Sequence, residues 1–205
     1  MVAVFPKLSP SSLARSVALL AAALVLLTAC TSGRDRGGAA TPAPGTTAAP
    51  PKPLEVTLRT TASGPERGFD AGKAAKRAAP GIERFLDQYL TVAFVDPARG
   101  KGGWDRLLAM FDKPVRAAAR KQLDALSLGA AAPQVTAVQP GRASATADVL
   151  YSGRPAAATV RLAFDGTATT AGGSGPVHLR SVLQLLWTRG GWRIAAFDSR
   201  TGAAS

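Results

Sequence analysis

Residues 177–198 read VHLRSVLQLLWTRGGWRIAAFD and carry the clearest β-strand pattern of the chain. Every second residue from Val177 to Trp187 is apolar except Ser181, which is the period of a strand with one buried face. Arg189-Gly190-Gly191 then supplies a tight turn, and the chain continues as a second strand. The pattern predicts a β-hairpin, which we expect at the centre of an antiparallel sheet.

Further strand patterns precede this hairpin. Residues 145–151 place Ala, Val and Tyr on one face, after a short predicted strand at residues 135–138. Residues 158–164 alternate in the same way, and the Gly- and Thr-rich residues 165–176 are predicted to form a loop. Residues 54–59 predict a short strand at the edge of the sheet.

Helices are predicted between the first strand and the others. Apolar residues recur at helical spacing from Ile82 to Phe94, directly after Pro80-Gly81. A second helical period runs from Trp104 to Phe111, and a third helix begins at the cap residue Asp112 and ends at Gly129. Helices first and strands last predict an α+β fold, with the helices packed on one face of an antiparallel sheet.

Residues 1–29 have the layout of an export signal. Lys7 and Arg15 are followed by an apolar run up to Leu27, which is shorter than the ~20 residues that span a bilayer. Leu27-Thr28-Ala29-Cys30 resembles the bacterial lipobox, and the resemblance implies cleavage before Cys30 and diacylation of its sulfur. The acyl chains would hold the mature chain on the outer face of the cytoplasmic membrane. The alternative is a soluble secreted protein with an unrelated cysteine at an ordinary cleavage site.

The rest of the chain divides at residue 53. Residues 30–53 begin with the lipidated cysteine and are otherwise mostly Gly, Ala, Thr and Pro without any aromatic residue, which predicts a disordered linker. Residues 54–205 remain for a single α+β domain, and their length is usual for one hydrophobic core. The predicted organisation is therefore a signal peptide, a lipidated linker and one folded domain.

The chain is strongly basic, with a formal net charge of +12 at pH 7. Outside the cell the polyanions are phospholipid headgroups and wall polymers, so we expect an envelope protein, anionic lipid or wall polymer as partner, and no nucleic acid. The charge could equally serve solubility alone. Arg116, Arg120 and Lys121 lie on one side of the predicted third helix and form the candidate polyanion site, with a solvated helix face as the alternative.

The order of these elements resembles a known superfamily. A long amphipathic helix, a short helix led by Trp104 and antiparallel strands that end with Gly190 to Asp198 follow one another. This layout is similar to the cystatin-like, cone-shaped α+β fold of the nuclear-transport-factor-two-like superfamily, as in lipoproteins of actinobacterial envelopes. The resemblance covers residues 80–199. It implies a curved sheet closed by helices around a hollow, which in SnoaL-like cyclases and ketosteroid isomerases holds a catalytic acid or base.

Three side chains are candidates for such a base: Asp87, Tyr151 and His178, the only histidine. Each has a structural alternative, because Asp87 could be solvated and the other two could belong to the packed sheet. One His and one Cys provide no transition-metal site, and no phosphate-binding Gly loop is present, so we expect no metal and no cofactor. We therefore predict a non-enzymatic binding or scaffold module, with a SnoaL-like isomerase, cyclase or dehydratase as the alternative.

Overall fold

Strand-forming residues dominate the second half of the chain, where they form four long strands. The structure is a computed structural model that describes residues 54–96 and 101–203. The strands are β1 (Val56–Ser63), β2 (Val135–Tyr151), β3 (Pro155–Thr170), β4 (Gly173–Thr188) and β5 (Gly191–Ala203). The helices are α1 (Ala71–Leu90), α2 (Lys101–Ala109), α3 (Arg116–Lys121) and α4 (Leu123–Leu126). A π-helical turn (Thr91–Val95) and two 3-10 turns (Lys113–Val115 and Gly129–Gln134) complete the fold. The predictions for the signal peptide, the lipobox, Cys30 and the linker lie outside the described residues.

The five strands form one mixed sheet in the order β1-β2-β3-β4-β5. Strands β2 to β5 are antiparallel to their neighbours, as predicted. Strand β1 runs parallel to β2, with Val56 opposite Ala143, so the prediction of a wholly antiparallel sheet is wrong at this edge. A parallel pair needs a long crossover connection, and the helices between β1 and β2 supply it.

The hairpin of β4 and β5 lies at one edge of the sheet, and β3 occupies the centre, which contradicts the prediction. Strands β2 to β5 form a meander in which each strand pairs with the next, so the last strand has one strand neighbour. Part of this edge is covered by residues after α2, because the Asp112 N–H donates to the Ile194 carbonyl at 2.8 Å. The Arg193 guanidinium donates to the Ala109 carbonyl and ties α2 to β5.

The loop predicted at residues 165–176 is instead the end of a hairpin. Strand β3 continues to Thr170 and β4 begins at Gly173, so Ala171 and Gly172 alone connect them. Backbone hydrogen bonds between strands need no apolar alternation, and the threonines of this segment favour an extended backbone. These residues were therefore predicted as a loop, because strand residues without an apolar pattern are not recognised by alternation.

Strand β2 is continuous where the sequence predicts two separate strands. Its register with β3 shifts between Pro140 and Ala143, which marks a β-bulge. Gly141 lies in this bulge, and a Cβ atom at this position would approach the Asp165 carbonyl oxygen to 2.8 Å. Glycine is therefore required for the close approach of the two backbones.

Helix α1 begins at Ala71, although Pro80-Gly81 predicts a later start. The Asp70 side chain accepts a hydrogen bond from the Lys73 N–H at 2.9 Å, and this N-cap stabilises the helix ahead of the proline. Alanine has the highest helix propensity, and several alanines follow the cap. The predicted apolar face is confirmed, because Ile82 and Leu86 are fully buried.

The helices cover one face of the sheet, here called the inner face, and the opposite outer face carries the exposed strand residues. Every second residue of β2 from position 145 to 151 is buried on the inner face. The rings of Phe94 and Phe164, 5.2 Å apart, connect the turn after α1 to β3. The Tyr89 hydroxyl donates to the Leu126 carbonyl at 2.9 Å and holds α4 against α1. The prediction of an α+β fold with helices on one sheet face is confirmed.

Candidate functional site: an arginine groove on the outer face

Asp87, the first candidate base, lies on α1. One of its carboxylate oxygens is buried and has no hydrogen-bond partner among the described residues. Partial burial, together with the nearby Glu83 carboxylate, raises the pKa of Asp87 above its ordinary value. Asp87 thus has the electrostatic property of a general base, and its surroundings decide whether it can act as one.

Tyr151 ends β2 on the inner face, and its hydroxyl donates to the Ala74 carbonyl at 2.7 Å. Its ring packs against Phe69 with the ring centroids 5.7 Å apart. Burial raises the pKa of Tyr151, and the opposing effect of Arg77 is smaller. Ala74 lies about 20 Å along α1 from Asp87, at 1.5 Å per residue. Tyr151 therefore fixes the start of α1 to the sheet and lies far from Asp87.

His178 lies on the outer face of β4, because its neighbours Val177 and Leu179 are buried on the inner face. Its Nδ1 lies 2.7 Å from Oδ1 of Asp165. The sheet separates His178 from Tyr151 and from the helices. The three candidate bases therefore do not converge in one pocket, because strand alternation and the length of α1 keep them apart.

A cavity of about 470 Å³ lies at the end of the sheet, between the β3–β4 turn and α4. The hydroxyls of Ser127 and Thr201 line it, and both already donate to backbone carbonyls. Asp87, Tyr151 and His178 are not among its lining residues. The cavity therefore receives none of the bases that the sequence suggested.

The predicted polyanion cluster lies exposed on α3 and comprises Arg116, Arg120 and Lys121. Arg116 Nε donates to the Phe111 carbonyl at 3.0 Å. The Arg120 guanidinium lies 3.9 Å from the Asp105 carboxylate, and both side chains are at least 70% exposed. These residues project from a short helix, and neither the cavity beside α4 nor the groove of the outer face includes them.

A larger concentration of arginines lies on the outer face of the sheet, where the sequence predicts no site. A groove of about 660 Å³ runs across this face, and every strand contributes lining residues to it. Its arginines are Arg59 of β1, Arg142 of β2, Arg161 of β3, Arg180 of β4 and Arg200 of β5. We call the surface formed by these five residues the arginine groove.

Strand register brings the arginines together. Arg59 lies opposite Thr146, and Thr146 lies opposite Arg161. In an adjacent row of outer-face residues, Arg180 lies directly opposite Arg200. Neighbouring strands are about 4.8 Å apart, and successive residues on one face of a strand are about 6.6 Å apart. The long guanidinium side chains can therefore reach one common ligand.

Two of the arginines are held by carboxylates. Arg161 lies 3.1 Å from Asp148, and Arg180 lies 2.9 Å from Asp165. Partial burial alone would raise the pKa of Asp165, but hydrogen bonds from Arg180 and His178 bring that pKa below its ordinary value. These pairs orient two of the guanidinium groups that line the groove.

The other three arginines, Arg59, Arg142 and Arg200, make no ion pair within residues 54–96 and 101–203. Five arginines against Asp198 and the two carboxylates of the ion pairs above give the groove a formal charge of +2. Arg200 also faces Arg180 across the strands, and like charges directly opposite each other destabilise a sheet. The groove therefore concentrates positive charge at a cost to stability.

The chemistry of this lining is that of anion binding. A guanidinium group presents planar pairs of N–H donors that match phosphate and carboxylate oxygens. Thr57, Ser144 and Thr146 add hydroxyl donors between the arginines. In the part of the chain that the structure describes, no group of three or more His, Cys, Asp or Glu could hold a metal ion. The groove can thus bind and orient a multiply charged anion.

The sequence contained part of the signal for this groove. Alternation already put Arg59, Arg161 and Arg180 on the polar faces of predicted strands. Arg142 and Arg200 lay outside the predicted strands, which were too short. Register was the missing information, because alternation assigns a face to each residue but not its partner on the next strand.

Comparisons of the chain with protein-family models, with curated proteins and with solved structures found no match. None of the helices within the described ranges is long and apolar enough to cross a membrane. The function of the domain is therefore inferred from the position, charge and pairing of its own residues.

Proposed function

We propose that this chain is a cell-envelope lipoprotein whose domain binds an anionic partner through the arginine groove, without catalysis. Its signal peptide, residues 1–29, carries the chain across the cytoplasmic membrane, and the acyl chains on Cys30 hold it on the outer face. The linker that follows allows the domain to reach the nearby headgroups and wall. The lipobox sequence supports this location.

The proposal includes the nuclear-transport-factor-two-like layout for residues 80–199. Support comes from the α+β architecture, with helices on one face of a sheet that ends in a β-hairpin. Strand β1 precedes these residues and adds a parallel edge strand to the layout. A cone-shaped curvature of the sheet remains part of the proposal.

One observation carries the binding function: the groove holds three arginines without an ion pair, and a fourth that faces one of them. A protein that needed only solubility would gain nothing from cations set opposite each other on adjacent strands. A bound anion offsets this repulsion with charge-assisted hydrogen bonds. Envelope phosphates are the anions within reach of a lipid-anchored domain, and nucleic acid is not expected there.

Binding of inorganic polyphosphate by the full mature chain in a neutral detergent tests the proposal. Replacement of Arg59, Arg142 and Arg200 together by Gln removes three positive charges and leaves both ion pairs of the groove intact. We expect binding, measured by titration calorimetry at low salt, to weaken by about ten-fold or more, since each neutralised contact with phosphate adds to affinity.

The matched control replaces Arg116, Arg120 and Lys121 by Gln, which removes the same charge from the α3 cluster. We expect its affinity for polyphosphate to fall by about two-fold at most, because exposed charges at a distance are screened by salt. Equal losses in both variants would show that net charge, and not the groove, attracts the polymer. A larger loss in the control would move the site to α3.

The anchor has a separate test in the intact mass of protein purified from the membranes of the cells that produce it. The expected mass is that of a chain that begins at Cys30 and carries a diacylglyceryl group. Replacement of Cys30 by Ser should release the protein from membranes. A mature N-terminus at any other residue would remove the lipid anchor from the proposal and leave the groove untouched.

A further inference from the structure

An apolar row adjoins the arginine groove on the outer face. Leu150, Ala157 and Leu186 are cross-strand partners on β2, β3 and β4, and we call these three residues the apolar row. Leu150 is 51% exposed and Leu186 is 42% exposed. Val182, inside the groove, is 37% exposed. Large apolar side chains exposed next to one another mark a contact surface.

The apolar row and the groove lie in the same plane and close together. Leu186 is four residues from Val182 along β4, which is about 13 Å at 3.3 Å per residue. Val182 lies opposite Arg161 in the groove. Between the two surfaces runs a polar pair, Thr159 and Gln184, whose side chains hydrogen-bond at 2.9 Å. A partner that covers this face must therefore present negative charge and apolar surface about 13 Å apart.

Trp187 lies on the opposite side of the sheet from the apolar row. It shares the face of Leu183 and Leu185, and it lies directly opposite the buried Trp192, whose ring is 5.2 Å away in an edge-to-face contact. The exposed apolar surface at this end of the outer face is therefore that of the apolar row.

We infer that the outer face docks onto a bilayer that contains anionic phospholipid, an inference that rests on the proposed function of the groove. The arginines bind lipid phosphates, and Leu150 and Leu186 enter the boundary between headgroups and acyl chains. A bilayer surface offers phosphate with hydrocarbon directly beneath it, whereas a soluble polyanion would leave the apolar row exposed to water.

A second copy of the chain fits this face less well. In a symmetric dimer the same patch occurs on both partners, so two arginine grooves would approach each other. Each groove with its paired carboxylates has a formal charge of +2, and like charges across an interface oppose association. Charge complementarity therefore favours an anionic lipid surface as the occupant.

The test uses the lipidated full chain in vesicles, with an environment-sensitive fluorophore on a new cysteine. Cys30 is the only cysteine of the chain, so the acylated parent should take no label and Leu186→Cys should be labelled at one site. In vesicles of equimolar phosphatidylglycerol and phosphatidylcholine we expect several-fold stronger emission at shorter wavelength than in phosphatidylcholine alone. Leu150→Cys provides an independent second position on the apolar row.

Two variants control this measurement. The same label at Ala118→Cys, on the exposed side of α3, should report water in both kinds of vesicle. Replacement of Arg59, Arg142 and Arg200 by Gln in the Leu186→Cys chain should remove the response to phosphatidylglycerol. High salt should have the same effect, because the attraction to the headgroups is electrostatic.

Three outcomes would overturn the inference, and they differ from failure of the groove itself. Labels at positions 150 and 186 that report water on phosphatidylglycerol, in a chain that still binds polyphosphate through the groove, would identify a soluble polymer as the ligand. An equal response in both kinds of vesicle would exclude headgroup charge as the cause. A response that depends on protein density rather than lipid composition would indicate a second copy of the chain.

Discussion

The two faces of one sheet differ in what they contribute to the protein. On β4, Leu179, Leu183 and Leu185 point to the inner face and are at most 1% exposed. Their neighbours Arg180 and Val182 point to the outer face and line the arginine groove. Because the side chains of a strand alternate, adjacent residues of one segment belong to surfaces with opposite requirements.

The inner face is explained by stability alone, and the outer face is not. Burial of apolar side chains against the helices is the main favourable contribution to folding. Exposed ion pairs such as Arg161 with Asp148 contribute little, and Arg180 opposite Arg200 is unfavourable. Departures from the rules of stable folds are expected at functional sites. The contrast therefore supports the proposal that the outer face binds an anionic partner.

The largest expected effect tests this contrast at two adjacent residues. Leu183→Ala should lower the free energy of unfolding by about 2 to 5 kcal/mol, since it removes a fully buried side chain and leaves a cavity. Val182→Ala, on the outer face, should change it by about 0.5 kcal/mol or less. Urea unfolding of the full chain, followed by circular dichroism, measures both values. Similar losses would mean that the outer face is also packed in the folded protein.

Alternation and helical period were sufficient to predict which residues face the core. Leu183 and Ile82 are buried as predicted, and the order of helices before strands predicted the α+β class. The parallel edge strand was missed because Val56 and Ala143 are far apart in sequence and no local pattern specifies their pairing. The start of α1 was missed because the proline signal was given more weight than the N-cap at Asp70.

The candidate site was harder to predict than the fold. Asp87, Tyr151 and His178 were selected by residue type, and only the register and the helix length show that they lie apart. The arginine groove depends on pairing between strands, such as Arg180 with Arg200, that local sequence does not determine. The net charge predicted an anionic partner, and the binding of that partner by the groove is a proposal.

A second prediction concerns Asp87 on α1, the helical side of the molecule. One of its carboxylate oxygens is buried and has no hydrogen-bond partner in the described residues, which is unfavourable for stability. Its pKa is raised in the folded state, so the ionised form destabilises the fold above that pKa. Asp87→Asn should raise the free energy of unfolding at pH 7 by about 1 kcal/mol. The difference from the parent should disappear as the pH falls through the folded pKa towards the ordinary carboxylate range.

Unfolding measured at several pH values checks the sign of this effect. Glu83→Gln removes only the smaller contribution to the raised pKa of Asp87 and should give a smaller gain in stability. A loss of stability in Asp87→Asn at pH 7 would show that the carboxylate makes a favourable contact.

The smallest expected effect concerns the acid that restrains the groove. The carboxylate of Asp165 contacts Arg180 and His178, and its pKa is lowered in the folded protein. The ionised carboxylate therefore stabilises the fold above the ordinary carboxylate pKa, and this stabilisation is lost as the pH falls through the folded pKa. Its side chain is 37% exposed, so Asp165→Asn should cost about 1 kcal/mol at most. The substitution also frees Arg180 and removes a competing negative charge, which should tighten polyphosphate binding about three-fold. Asp105→Asn makes the same charge change beside α3, and an equal gain there would show that total charge, and not the outer face, determines affinity.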